Sequence, residues 1–298
     1  MAMVKANGAD IAFESIGDER AEAVLLIMGL GAQLTRWSVP FCEALASRGK
    51  RVIRFDNRDA GLSEKMESAG FPDFGAVLAA RRAGEKPPLP YAIDDMAADA
   101  VGLLDALGIQ RAHIVGASLG GMIAQLVAAD HSSRTLSLTS IMSNTGNAGV
   151  ARATPEAVSV FMNRAPDPSA DFEGFLAQGV QAARVLGGPV HVQDEAKLRA
   201  RLIADYERCY YPIGVMRQYA AVLGAYDRRE KLRGIKAPAV VLHGDADPLV
   251  PLEGGRDTHE NIPGSEFIVV PGMGHDIPEA LTDVTIDAIM RAASQAKI

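Results

Sequence analysis

The chain has 298 residues, 48% hydrophobic, 22% charged and 5% aromatic, a globular composition that excludes disorder as the main state. Lys and Arg number 30 against 37 Asp and Glu, and this net charge of −7 with no basic cluster argues against nucleic acid or an anionic membrane as partner. No apolar stretch approaches the ~20 residues of a membrane helix. The first residues carry no charged-then-apolar leader, and Cys42 and Cys209 form no C-x-x-C, so the expectation is a cytoplasmic chain with free thiols.

Residues 3–6 and 11–15 flank the turn-rich stretch 7–10 and read as a hairpin. Residues 23–28 (AVLLIM) form a short, wholly apolar run of the kind buried on both faces of a sheet. A helix is predicted over 37–47, where Trp37, Phe41, Ala44 and Leu45 share a stripe, and a strand over 51–55. Residues 64–90 fit loop or short helix. A helix with Ile93, Met96, Ala97, Ala100, Val101, Leu104 and Leu107 at helical spacing then runs to Gly108. Strand 112–115, helix 119–129 and strand 136–142 follow.

Strand and helix alternate, which predicts an α/β fold with a mostly parallel central sheet covered by helices on both faces. From 144 to 233 the alternation stops, and helical patches are broken by Pro166, Pro168, Pro189 and Pro212. Strands return at 239–243 and 266–270, and a last helix follows Pro278. The predicted organisation is a core of 1–143 and 234–298 with a helical insertion of 144–233.

Gly116-Ala117-Ser118-Leu119-Gly120 is a G-x-S-x-G between an apolar strand and a helix. A serine on such a sharp turn needs a strained backbone, and its flanking glycines avoid clashes with the neighbouring chain. The turn exposes the hydroxyl and aims the first free helical N–H groups at whatever binds there. Read blandly, it is a Gly-rich connection without chemistry.

A serine hydroxyl needs a base, usually a histidine oriented by a carboxylate. Among six histidines, His113 sits inside a strand and reads as packed. His131 and His259 read as solvated, His191 has no evident partner, and His243 ends a strand where it could support the next loop. His275 follows a strand and the turn Pro271-Gly272-Met273-Gly274, which puts it at the sheet edge of Ser118. Asp247, in the loop after strand 239–243, is the preferred acid, with Asp245 its rival. Ser118, Asp247 and His275 then keep the order expected when successive strand ends supply the groups. His243, Asp245 and Asp247 also form an H-x-D-x-D that could take a divalent metal, but that leaves Ser118 and His275 unexplained. A dinucleotide fingerprint at Gly29-x-Gly31 fails at Leu34.

On these residues the chain resembles the α/β-hydrolase superfamily. The segments VLLIMGLGA, RVIRFDNRDAGLSE, HIVGASLGGMIAQ, APAVVLHGDADPLVP and VVPGMGHDIPE carry the resemblance over nearly the whole length. Within it the chain is similar to small bacterial esterases and lactonases of the aclacinomycin methylesterase and 3-oxoadipate enol-lactonase kind. The resemblance implies a helical cap between the sixth and seventh strands, where the insertion falls. It implies Ser118 as nucleophile, His275 as base and acid, Asp247 as orienting carboxylate, and the Leu30 and Leu119 N–H groups as oxyanion hole. No cofactor or metal is implied. Many relatives have His-Gly where this chain has Met28-Gly29, and Met28 cannot brace the loop as a histidine would. Asp56-x-Arg58…Gly61-x-Ser63 reads as a charged pair and turn bracing the site.

A serine at the turn fits esters, lactones and thioesters, or C–C cleavage of dienoic diketones; the resemblance adds peracid formation from peroxide and a carboxylic acid, and a non-catalytic ligand-binding protein is the remaining class. Phe161, Met162, Phe172, Phe175, Leu176, Tyr210, Tyr211, Met216, Tyr219 and Tyr226 are candidates for cap core or pocket wall. No dense arginine cluster is present for a polyanion, so the expected substrate is a neutral, moderately apolar ester or lactone.

Overall fold

The computed structural model describes residues 1–163 and 165–297, and among them eight strands form one sheet. β1 (Ala2–Ala6) and β2 (Ala9–Ile16) make the N-terminal hairpin, with Ala6 paired to Ala9. Asn7 and Gly8 both have positive φ, so the turn closes in two residues rather than the four the sequence suggested, a geometry matching strand twist. β3 (Ala23–Ile27), β4 (Arg51–Phe55), β5 (Ala112–Ala117), β6 (Thr135–Ile141), β7 (Ala239–Gly244) and β8 (Glu266–Val270) complete the order β1-β2-β4-β3-β5-β6-β7-β8. The hairpin joins β4 antiparallel, and every later pairing is parallel.

Alternation along the strands decides the layers. Leu25 and Ile27 of β3 face an apolar cluster that includes α3 (Ile93–Ala106) and α4 (Leu119–Asp130). Val24 and Leu26 face the opposite cluster, built with α1 (Val39–Ser47) and α11 (Thr282–Ser294). Residues 64–90 hold both of the expected forms: a 3-10 turn at Glu67–Ala69 and α2 (Phe74–Ala83), which the Asp73 side chain caps.

Between β6 and β7 the chain forms α5 (Pro155–Met162), α6 (Phe172–Leu186), α7 (Glu195–Arg208), α8 (Pro212–Gly224) and α9 (Arg229–Leu232). Thr154, Asp171 and Asp194 cap the first three through their side chains. Phe172 and Phe175 of α6 pack on Tyr206 of α7, with ring centroids 5.1 and 5.8 Å apart. α8 is fixed to the sheet side of the molecule. Arg217 pairs with Asp59 through Nε and Nη2, each at 2.8 Å, and both side chains are buried. α10 (Leu252–Asn261) follows β7.

Candidate active site

The site lies at the carboxyl ends of the parallel strands, where each strand hands its chain to a loop or helix. Ser118 sits between β5 and α4 with φ 57° and ψ −121°, a conformation that costs a non-glycine residue roughly 1–3 kcal/mol. The turn is held because its neighbours leave no alternative. A Cβ on Gly120 would lie 2.1 Å from the Ile27 carbonyl oxygen, and one on Gly116 would lie 1.9 Å from that of Gly120. The Ser118 N–H donates to Ile141 O, and its carbonyl accepts from Ser143 Oγ at 2.9 Å.

Ser118 Oγ is 2.8 Å from His275 Nε2, and His275 Nδ1 is 2.7 Å from Asp247 Oδ2. Because a carboxylate only accepts, Nδ1 carries the proton and Nε2 is left to accept from the serine. Asp247 Oδ1 accepts the N–H groups of Leu249 and Val250 at 2.9 and 2.8 Å, and its side chain is fully buried. The rival Asp245 turns away: its Oδ1 accepts from Gly272 N at 2.6 Å. His243 Nε2 meets Val250 O at 2.7 Å across the Asp247 loop, and burial depresses its pKa, so it braces the loop as a neutral ring. Among the described residues no cluster of three or more His, Cys, Asp and Glu could hold a metal ion.

After β3 the chain turns at Gly29–Ala32, with Ala32 N–H donating to Gly29 O at 3.2 Å. Gly31 N–H donates to Gln218 Oε1 at 2.8 Å. Among the described residues, no hydrogen bond reaches the N–H of Leu30 or of Leu119. The support that Met28 cannot give with its side chain comes from Asn57, whose Nδ2 donates to Met28 O at 2.9 Å. Asp56 adds to it by accepting Leu34 N–H at 2.6 Å.

The charged pair expected within Asp56-x-Arg58 does not form. Asp56 is turned to backbone N–H groups and to Arg208 Nη2 at 2.7 Å, while Arg58 reaches Asp99 of α3 at 2.6 Å. Other expectations also shift. His191 has a partner, Pro271 O at 3.1 Å, in the first residue of the turn that leads to His275. His259 is half-buried, stacked on Phe267 and bonded to Ser265 Oγ, because the end of α10 folds over β8. His113 is packed as expected, between Ser137 and the Lys50–Glu22 pair.

Above Ser118 and His275 lies a cavity of about 390 Å³. Met28, Leu30, Met122, Met142, Leu249 and Val250 line its core side, and Ala153, Val158, Leu186, Tyr219 and Val222 come from the insertion. Of the insertion residues singled out in the sequence, Tyr219 alone reaches the lining; the side chains of Phe161 and Met162 lie outside the described residues. Phe172, Phe175 and Tyr210 belong instead to the aromatic packing of α6 and α7. Residues 64–90 do not line the cavity, although Phe74 packs on Tyr219 at 5.8 Å. Arg36 and Asp276 form an ion pair at 2.8 Å in the wall beside His275.

Ser143, Asn57, Gln218 and the Arg36–Asp276 pair escaped the sequence reading. Each acts through backbone groups or partners distant in the chain, which no local pattern announces. The insertion also reaches the histidine loop: His275 N–H donates to Leu186 O at 2.6 Å, at the end of α6.

A family model described as alpha/beta hydrolase fold matches residues 22–279. A rhodomycin D methylesterase of Streptomyces sp. (strain C5) is 28% identical over 293 residues, covering 93% of this chain and 92% of that protein. Among solved structures, the enol-lactonase from Burkholderia xenovorans LB400 superposes with a TM-score of 0.70 at 21% identity, covering 99% of this chain and 100% of that one. A meta-cleavage product hydrolase from Pseudomonas fluorescens IP01 gives 0.76 at 18% identity, covering 100% and 98%.

Proposed function

The chain belongs to the alpha/beta hydrolase family, and on that premise we propose that it is a serine hydrolase cleaving a carboxylic ester of a small, moderately apolar molecule. The unbroken relay from Ser118 through His275 to Asp247, on the floor of a largely apolar cavity, carries the reading. Similarity to a methylesterase over 93% of the chain supports the ester as the bond attacked.

In this mechanism Ser118 Oγ attacks the ester carbonyl carbon while its proton passes to His275 Nε2. Negative charge moves to the carbonyl oxygen, which the N–H groups of Leu30 and Leu119 receive; each such donor is worth about 3 kcal/mol. Asp247 holds the ring and offsets the imidazolium charge. The tetrahedral adduct collapses, the carbon–oxygen bond to the alcohol breaks, and His275 returns the proton to the leaving alkoxide. Water then adds to the acyl-serine by the same route and releases the acid. One water is consumed and an acid and an alcohol are formed. His275, as base and then acid, never needs a metal or cofactor in this scheme.

The cavity is at the small end of ligand sites, which suits a short acyl group with a compact alcohol. We read residues 144–233 as a cap that sets this size. Cys42, buried with its thiol pKa raised to about 11 by desolvation, is unreactive, and two free cysteines suit a reducing cytoplasm. Among the described residues no helix is long and apolar enough to cross a membrane.

The test is hydrolysis of short p-nitrophenyl esters, with labelling of Ser118 by a fluorophosphonate. Turnover and labelling are expected in the wild type and absent in Ser118→Ala. Undiminished turnover in Ser118→Ala or His275→Ala overturns the proposal. Lactones, dienoic diketones and peroxide with a carboxylic acid, run beside the esters, rank the other reactions open to the same three residues.

A further inference from the structure

The Gly29–Ala32 turn contains one peptide that its own hydrogen bond does not fix. Ala32 N–H to Gly29 O closes the turn, and Gly31 stands third in it with φ +65°. Turns of types I and II differ by a rotation of the central peptide, here Leu30–Gly31, and a glycine in third place accepts either. Nothing within the turn selects one state.

Gln218 supplies that selection from α8. Its Oε1 accepts Gly31 N–H at 2.8 Å, and its Nε2 donates to Arg58 O at 2.7 Å. The side chain has no solvent exposure. With an acceptor bound at one end and a donor at the other, the amide has one satisfied orientation, because a flip would set N–H against N–H and carbonyl against carbonyl. The next residue back, Arg217, locks the helix to Asp59 through two 2.8 Å bonds, and Asp59 Oδ2 also accepts from Tyr91 at 2.8 Å. The insertion helix therefore cannot slide without breaking a buried ion pair.

We infer that Gln218 is a positioning residue: by holding the Gly31 N–H it anchors the Gly29–Ala32 turn in place, and with it the preceding peptide, whose Leu30 N–H meets the oxyanion. The inference rests on the proposed serine mechanism. It gives the insertion a part in the chemical step beyond its share of the cavity wall. Asn57 fixes the Met28 carbonyl before the turn and Gln218 fixes the peptide after Leu30, so the donor is braced from both sides. A rigid donor is what makes oxyanion stabilisation large, since no reorganisation is then needed as charge develops.

The test uses Gln218→Met, which keeps the shape, cannot donate and accepts only weakly, and Gln218→Glu. For each, kcat and KM are measured on a p-nitrophenyl ester, with inhibition constants for a trifluoromethyl ketone and for the product acid. In Gln218→Met, kcat is expected to fall about 10- to 100-fold, with KM and product-acid affinity within about threefold of wild type. Affinity for the ketone, whose adduct carries the oxyanion, falls in step with kcat. In Gln218→Glu the protonated carboxyl accepts from Gly31 and donates to Arg58 O, whereas the ionised one opposes that carbonyl. Its activity relative to wild type therefore rises as pH falls. A Gln218→Met enzyme with kcat and ketone affinity near wild type, or one that loses product-acid affinity equally, overturns the inference. If Gln218→Met does not fold, the Glu variant decides: a rising ratio supports the inference and a flat one overturns it. A wild type without ester turnover overturns the serine mechanism itself, a different result from any of these.

Discussion

The strand-end loops and the helical insertion meet over one cavity, yet they are built on different terms. At the strand ends, position is fixed by backbone. Ser118 is held at positive φ, Gly120 leaves no room for a Cβ, and Asp247 is bound by two N–H groups. Few residue types satisfy such demands. The insertion contributes mainly apolar wall, from Val158, Leu186, Tyr219 and Val222, where many residues of similar volume would serve. Its specific contributions are polar and aimed at the core, among them Gln218 to the Gly31 N–H, Arg217 to Asp59, Arg208 to Asp56, and the Leu186 carbonyl to His275 N–H. The proposed reacting groups are thus encoded tightly and the cavity wall loosely, with polar bolts between the two regions.

The largest effects should come from the strand ends. Ser118→Ala and His275→Ala are expected to lower kcat by about 10⁴- to 10⁶-fold, and Asp247→Asn by about 10⁴-fold through the wrong imidazole tautomer. Active-site titration with a fluorophosphonate, beside steady-state rates, checks this. A smaller loss at Asp247 than at any cavity-wall position would break the comparison.

Next come the bolts. Arg217→Met leaves the Asp59 carboxylate buried without its partner and should destabilise the fold by about 3–5 kcal/mol, read from urea unfolding. If stability is unchanged, α8 is not anchored as described.

The wall should give a smaller and different effect. Val158→Trp or Val222→Trp fills cavity volume, and the hexanoyl-to-acetyl ratio of kcat/KM should drop about tenfold while acetyl-ester turnover stays within about threefold. Equal losses for both esters would mean that the insertion shapes the chemistry as strongly as the strand ends do.

The smallest effect lies far from the cavity. Burial, and then the Lys50 ammonium, depress the His113 pKa below its ordinary 6.5. The folded chain then binds fewer protons than the unfolded one, so this contribution to stability is full above pH 6.5 and is lost as pH falls below it. The urea midpoint should decline on acidification, and His113→Gln should flatten that decline.

Where the physics is local, residue order was enough to foretell the structure. The apolar run 23–28 read as a strand buried on both faces, and β3 covers 23–27 of it; G-x-S-x-G between strand and helix read as a strained turn, and Ser118 has φ 57° there. Glycine spacing before His275 and the D-x-D after β7 marked the other two positions for the same reason: tight turns demand particular residues. The chain pattern favoured Asp247 over Asp245, and packing set Asp247 against His275 and Asp245 against Gly272; packing also sent Asp56 and Arg58 to different partners and drew Gln218 onto the Gly31 N–H. Those outcomes depend on which backbone groups are left unsatisfied once the strands are side by side. A buried N–H is answered by whatever acceptor packing brings near, and Gln218 lies 187 positions away in the chain from the group it serves.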